Sequence, residues 1–229
     1  MTTFVSLSVR RGNRQVLSDA RFEIPAGTVT GLVAPNGSGK TTLLESVWEP
    51  WDDRVSCKII PNGIDDGTPD LPRWRRSVFY LPTPNALSTR ATVLQNIAFA
   101  RDCWKSRVDI GKLVTHLGIE AFLDLPVRKC SQGMAQLAAI ACAMATGARI
   151  LLLDEPMSAL DPTNVTVVTR AMRSYVRGGR SIVMSTHNLA NVDQSCDRIT
   201  FIVGRKIECL ACTRNHPGTC ATHYRKLFE

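Results

Sequence analysis

Two short segments carry residue types and spacings suited to handling phosphate. The first is Ala34-Pro35-Asn36-Gly37-Ser38-Gly39-Lys40-Thr41-Thr42, between an apolar run and a helical pattern. A Gly-rich turn in that context aims backbone N–H groups into a concave anion site, and the following helix N-terminus adds its dipole. Lys40 has the reach for β- and γ-phosphates, and the Thr41 hydroxyl suits Mg²⁺. Ala34 stands where such loops usually begin with glycine; its Cβ costs about 1 kcal/mol if the backbone there needs positive φ, and little otherwise. The second segment is Ile150-Leu151-Leu152-Leu153-Asp154-Glu155-Pro156. An apolar strand delivers two carboxylates at its C-terminal end, where ligands bind in open α/β sheets. Asp154 there can hold Mg²⁺ through water, and Glu155 can orient or deprotonate an attacking water.

These residues need a scaffold that presents strand ends and helix starts together. The runs 29–33, 77–81, 150–153 and 181–185 read as strands, the third apolar enough to be buried on both faces. A helix is expected over 39–48. Another starts with Asp161 as N-cap and Pro162 at the first helical position, carries the stripe Val165, Val168, Met172 and Val176, and ends at Gly178-Gly179. Strands alternating with helices imply a parallel sheet covered on both faces. Residues 1–27 read as short β patterns forming a small antiparallel piece on the sheet edge, and residues 84–147 as a mostly helical lobe inserted between core strands.

Composition narrows the class. The chain has 229 residues, 44% of them hydrophobic and 21% charged, which is globular and excludes disordered or collagen-like chains. A net charge of +8 fits nucleic acid, an anionic membrane surface or phosphates without choosing among them. The longest apolar run, 137–145, is far short of the roughly 20 residues of a spanning helix. Met1-Thr2-Thr3-Phe4 begins no signal peptide, so an intracellular chain with reduced thiols is expected. Cys57, Cys103, Cys130, Cys142 and Cys196 are scattered as buried apolar residues would be. Cys209, Cys212, Cys220, His216 and His223 have a spacing that can hold zinc.

Further motifs complete the pattern: Ser158-Ala159-Leu160-Asp161 follows the acidic strand, Ser185-Thr186-His187 ends the next, and Cys130-Ser131-Gln132-Gly133-Met134-Ala135-Gln136 precedes both. In that order the chain resembles the ATP-binding-cassette (ABC) ATPases over nearly its whole length. The resemblance implies an α/β fold: a P-loop NTPase core with a mostly parallel sheet, an N-terminal antiparallel β-subdomain and an inserted helical subdomain (about 84–147), all one ATP-binding domain over 1–229. It implies ATP and Mg²⁺ as cofactors and a head-to-tail pair with a second cassette, identical or homologous. Residues 34–42 would hold ATP, and Thr41 and Asp154 the metal. Ser131, Gln132 and Gly133 would bind the γ-phosphate of the partner's ATP, Asp161 would bridge the subunits, and Glu155 and His187 would be catalytic. Ser131 also serves as an ordinary helix N-cap, which uses the same N–H groups.

Three departures modify the expectation. Thr83 occupies the place of a glutamine that touches Mg²⁺ and the water; its hydroxyl can still meet a metal-bound water, at shorter reach. Arg11 occupies the place of an aromatic that stacks on adenine, and a guanidinium can lie flat on a base. The signature ends in Met134, as in a subset of ABC-2-type exporters. The resemblance thus implies an ATPase of lowered turnover that drives a separate transmembrane permease, with no nucleic-acid partner, held peripherally on the cytoplasmic face of the cell membrane. Export is favoured on residues 131–134 and the short C-terminus. Pro84, Asn85, Leu87 and residues 92–99 are candidates for the permease groove, with Leu94, Ile97 and Ala98 read as helix core and Leu87 and Trp104 as exposed contacts. A regulatory subunit paired with a more active cassette, and a soluble ABC ATPase acting elsewhere, remain alternatives. The family layout of a hairpin at Gly204-Arg205, a loop and a terminal helix is favoured over zinc.

Overall fold

The structure, a computed structural model, describes residues 2–50, 52, 55–61, 71–211 and 218–229. Its centre is a six-stranded sheet built from β3 (Val29–Val33), β5 (Val78–Leu81), β6 (Ile150–Leu153), β7 (Ser181–Thr186), β8 (Arg198–Val203) and β9 (Lys206–Ala211). The strand order is β5-β6-β7-β3-β8-β9. The first five are parallel, and β9 closes the edge as an antiparallel hairpin with β8. Every residue of β3, β6 and β7 is buried, as expected of apolar strands covered on both faces.

The period-2 alternation of these strands divides the interior into two cores. Leu151, Leu153, Ile182 and Met184 face the helical side, while Ile150, Leu152 and Val183 face the other. On the helical side lie α3 (Val93–Cys103), α4 (Ile110–Leu117), α5 (Gln132–Ala145), α6 (Pro162–Val176) and α7 (Leu189–Ser195). From Gln136 to Ala145 every residue of α5 is buried, because a helix apolar all round has no face to give to water. The expected stripe of α6 is buried at all four positions. The helical reading of 84–147 holds, with two short 3₁₀ turns between α4 and α5.

The other face corrects two expectations. β1 (Thr2–Arg11) and β2 (Arg14–Pro25) are long strands, joined by β4 (Val55–Pro61) in a separate antiparallel sheet ordered β2-β1-β4. That sheet does not extend the edge of the central one. Val5, Leu7, Val9, Leu17, Phe22 and Ile24 pack with α1 (Lys40–Trp48), with Trp74 of the short α2 (Leu71–Arg75) and with Ile150, Leu152 and Val183, so the sheet covers a face. Local alternation marked the strands, but placement was set by which apolar face needed cover.

Several single-residue expectations also change. Cys142 and Cys196 are buried, but Cys103 is exposed. Ile97 is core, while Leu94 is exposed and Phe99 is 72% exposed. Trp104 is half-buried, its ring edge-on to Phe79 at 5.8 Å, and Leu87 packs partly against the core. Cys209 lies in β9 and Cys220 in α8 (Thr219–Phe228), the terminal helix. Cys212 and His216 lie outside the described residues, and among the described residues no three metal-ligating side chains gather. No helix among them is long and apolar enough to cross a membrane.

Candidate functional site

A cleft of about 830 Å³ opens where the parallel strands end. Arg11, Pro35, Asn36, Gly37, Ser38, Gly39, Lys40, Thr41, Thr42, Thr83, Asp154 and Glu155 all line it. The strand order explains the meeting. β3 delivers the phosphate loop and β6 the carboxylates, with β7 between them.

Gly39 precedes α1 at φ +101°, and a Cβ there would stand 2.9 Å from Val16 Cγ1, so both backbone and neighbour require glycine. Ala34 keeps clear of positive φ, and its Cβ is buried in the core beside Leu32; the missing glycine costs nothing here. Lys40 is buried and donates to the Ala34 carbonyl at 2.8 Å, bending its ammonium back over the loop. Burial pushes its pKa down, opposed by the carboxylates of Glu155 and Asp154. The Thr41 hydroxyl donates to Asp154 Oδ2 at 2.8 Å. A hydroxyl and a carboxylate side by side form the hard oxygen set that Mg²⁺ prefers, so these residues fit the metal.

The acidic strand end is held more tightly than its sequence indicates. Ser185, at the end of β7, donates its hydroxyl to Asp154 and accepts the Glu155 N–H at 2.9 Å. This fully buried serine fixes both carboxylate residues, a role that only the pairing of β6 with β7 makes visible. Glu155 sits at φ +48°, a left-handed conformation that is costly for a side chain bearing a Cβ. Its carboxylate lies 3.0 Å from His187 Nδ1, and the imidazole itself is mostly exposed. Thr83 lines the cleft, but its hydroxyl donates to the Asp154 carbonyl, leaving only lone pairs for a metal-bound water. Arg11 is engaged by Glu45 at 2.5 Å, which holds its guanidinium against α1.

Ser131, Gln132, Gly133 and Asp161 do not line this cleft. Ser131 caps α5, accepting from Met134 N–H at 3.2 Å, and Asp161 caps α6, accepting from Asn164 N–H at 3.0 Å. That backbone N–H, aided by the Asn164 side-chain amide, holds the Asp161 carboxyl below the usual carboxylate range. The two helix starts are neighbours: a Cβ on Gly133 would lie 3.2 Å from the Ala159 carbonyl. Arg14, Gln15, Val16, Ile202, Gly204, Arg205 and Phe228 also line the cleft and were not anticipated. They come from two hairpin turns and the terminal helix, which carry no local signal of a binding role.

The ABC transporter family model matches residues 17–158. Among similar proteins, Nod factor export ATP-binding protein I of Sinorhizobium fredii is 29% identical, over 88% of this chain and 60% of its own length. Hemin import ATP-binding protein HmuV of Rhodococcus jostii is 32% identical over 86% and 69%, and glutamine transport ATP-binding protein GlnQ of Bacillus subtilis is 30% identical over 90% and 88%. The fold matches an ATP-binding subunit of an ABC transporter with a TM-score of 0.84 at 23% identity, all of both chains being covered. It also matches a bacterial Atm1-family ABC exporter with a TM-score of 0.79 at 23% identity, over 42% of that chain. The family model spans more than half of the chain and GlnQ is matched over most of both lengths, so the chain belongs to the ABC transporter ATP-binding proteins, which are ATPases.

Proposed function

We propose that this chain binds Mg²⁺–ATP in the cleft and hydrolyses it to drive a separate membrane protein. The observation that carries the reading is the Glu155 carboxylate, held 3.0 Å from His187 beside a loop built for phosphate. Thr41 and Asp154 would hold the metal, which when bound supplies positive charge to the phosphates. Lys40 would exchange its carbonyl partner for phosphate oxygens. Glu155 takes the proton of a water attacking the γ-phosphorus as the bond to the β-phosphate oxygen breaks, and His187 keeps that carboxylate in place. Replacing Glu155 by Gln is expected to lower phosphate release about 10²- to 10⁴-fold while ATP binding persists. Unchanged turnover would remove Glu155 from this role.

The whole chain, 1–229, would act as one cassette with a helical subdomain at about 84–147. Ser131, Gln132, Gly133 and Asp161 stand apart from the cleft at two adjoining helix starts. That arrangement favours a head-to-tail pair in which they meet the ATP of a second cassette, identical or homologous. The exposed side chains Leu94 and Phe99 support a membrane-protein contact on the helical lobe. The chain would then sit peripherally on the cytoplasmic face, bound through a permease. Relatives are named for export and for import; support for export is confined to residues 131–134. Affinity purification from gently solubilised membranes is expected to bring a multi-span protein in near-stoichiometric amount. Ribosomal or nucleic-acid partners instead would sink the transport reading. The Thr83 hydroxyl, committed to the Asp154 carbonyl, favours a second reading as a regulatory subunit of an unequal pair. ATPase activity of a homodimeric assembly would exclude it.

A further inference from the structure

Beyond the phosphate loop and the carboxylates, the cleft is lined from two sides. Arg11, Arg14, Gln15 and Val16 come from the β1–β2 hairpin, and Ile202, Gly204, Arg205 and Phe228 from the β8–β9 turn and α8. A base attached to phosphates on the loop must rest among these side chains. Phe228 is the one aromatic ring among the described residues of the lining. Arg11, whose guanidinium occupies the place expected for a stacking group, is already engaged by Glu45.

Phe228 is built into the fold. Its ring packs against Tyr224 at 4.7 Å and Phe201 at 6.4 Å between centroids. The helix beneath it is anchored by fully buried Cys220 and by Asp193, whose carboxylate accepts the Gly218 and Cys220 N–H groups at 2.9 and 3.0 Å. The neighbouring turn is fixed as well: the Arg205 carbonyl accepts the Ser18 N–H at 3.0 Å, tying that side of the cleft to β2. A rigid ring on the wall of a phosphate cleft is a stacking surface for a base. We propose that Phe228, from the terminal helix, is the stacking platform for the nucleotide base. The inference rests on the ATP-binding reading above. Because every base has a π-face, the platform serves adenine and guanine alike.

The test compares two probes on the whole chain by calorimetry: Mg²⁺–ATP, and inorganic tripolyphosphate, which has no base. Phe228→Ala is expected to weaken ATP about 5- to 150-fold and leave tripolyphosphate unchanged. Phe228→Leu keeps apolar bulk against Tyr224 and Phe201 without a full π-face, and is expected to show the same selective loss. Phe228→Trp is expected to hold ATP within about twofold of the unaltered chain. Unchanged ATP affinity in the Ala and Leu variants would overturn the proposal. Equal weakening of both probes would overturn it too, because the ring would then act on the phosphate loop. Failure of the unaltered chain to bind either probe would instead overturn the nucleotide reading, and this inference with it.

Discussion

The carboxylate end of the cleft depends on one hydroxyl between two acidic residues. Ser185 donates to Asp154 and accepts from the Glu155 N–H in a fully buried position. Removing it takes a hydrogen bond from the buried Asp154 carboxylate and from the part-buried Glu155 N–H, which costs about 1–3 kcal/mol. Ser185→Ala should therefore lower stability by that amount in denaturant melts and also slow phosphate release, since Glu155 is held through its backbone. A melt shifted without any change in turnover would confine Ser185 to folding. Glu155 itself combines a strained φ of +48° with the 3.0 Å contact to His187. Asp154 and Glu155 were legible in the sequence as a polar end to an apolar strand. Their fixing by Ser185 was not, because a hydroxyl's choice of partner depends on strand pairing.

Among elements, α5 and α6 both begin with capped N-termini, and the two starts lie close together outside the cleft. Caps and their helices were readable because the signal is local: Ser131 and Asp161 each bond an N–H three residues on. Asp161→Ala is expected to lower the melting midpoint at neutral pH by about 2–4 °C. The carboxyl of Asp161 is held below its ordinary range in the folded chain, chiefly by the Asn164 N–H. Its stabilising effect is therefore fully present above the ordinary carboxylate pKa and fades as pH falls through the lowered value. The gap between the Ala variant and the parent should accordingly narrow in acid. A gap independent of pH would assign the effect to something other than the charged cap. β4 was missed at this scale, because its seven residues pair with β1 only across a long separation in the chain.

For the whole molecule, the motif residues are divided between separate surfaces. The cleft holds the phosphate loop, Asp154 and Glu155, while Ser131, Gly133 and Asp161 lie elsewhere. On the head-to-tail pairing proposed above, such a chain would complete its site by meeting another. Mg²⁺–ATP is expected to double the apparent mass of the Glu155→Gln variant in light scattering, and Asp161→Ala in that background should weaken the dimer. A strictly monomeric Glu155→Gln variant at saturating ATP would count against a self-paired cassette and leave pairing with a different one.

The phosphate loop, the acidic strand and the helix starts followed from the sequence by itself. Each is a contiguous pattern whose backbone N–H groups, caps and apolar run act within a few residues. Tertiary structure alone decided that β7 stands between β3 and β6, bringing Ser185 to Asp154. It also decided that the N-terminal sheet covers a face, and that Phe228 reaches a cleft whose loop begins near residue 34. Strand order and the docking of a terminal helix are settled by which buried faces fit together, and no local spacing encodes that choice.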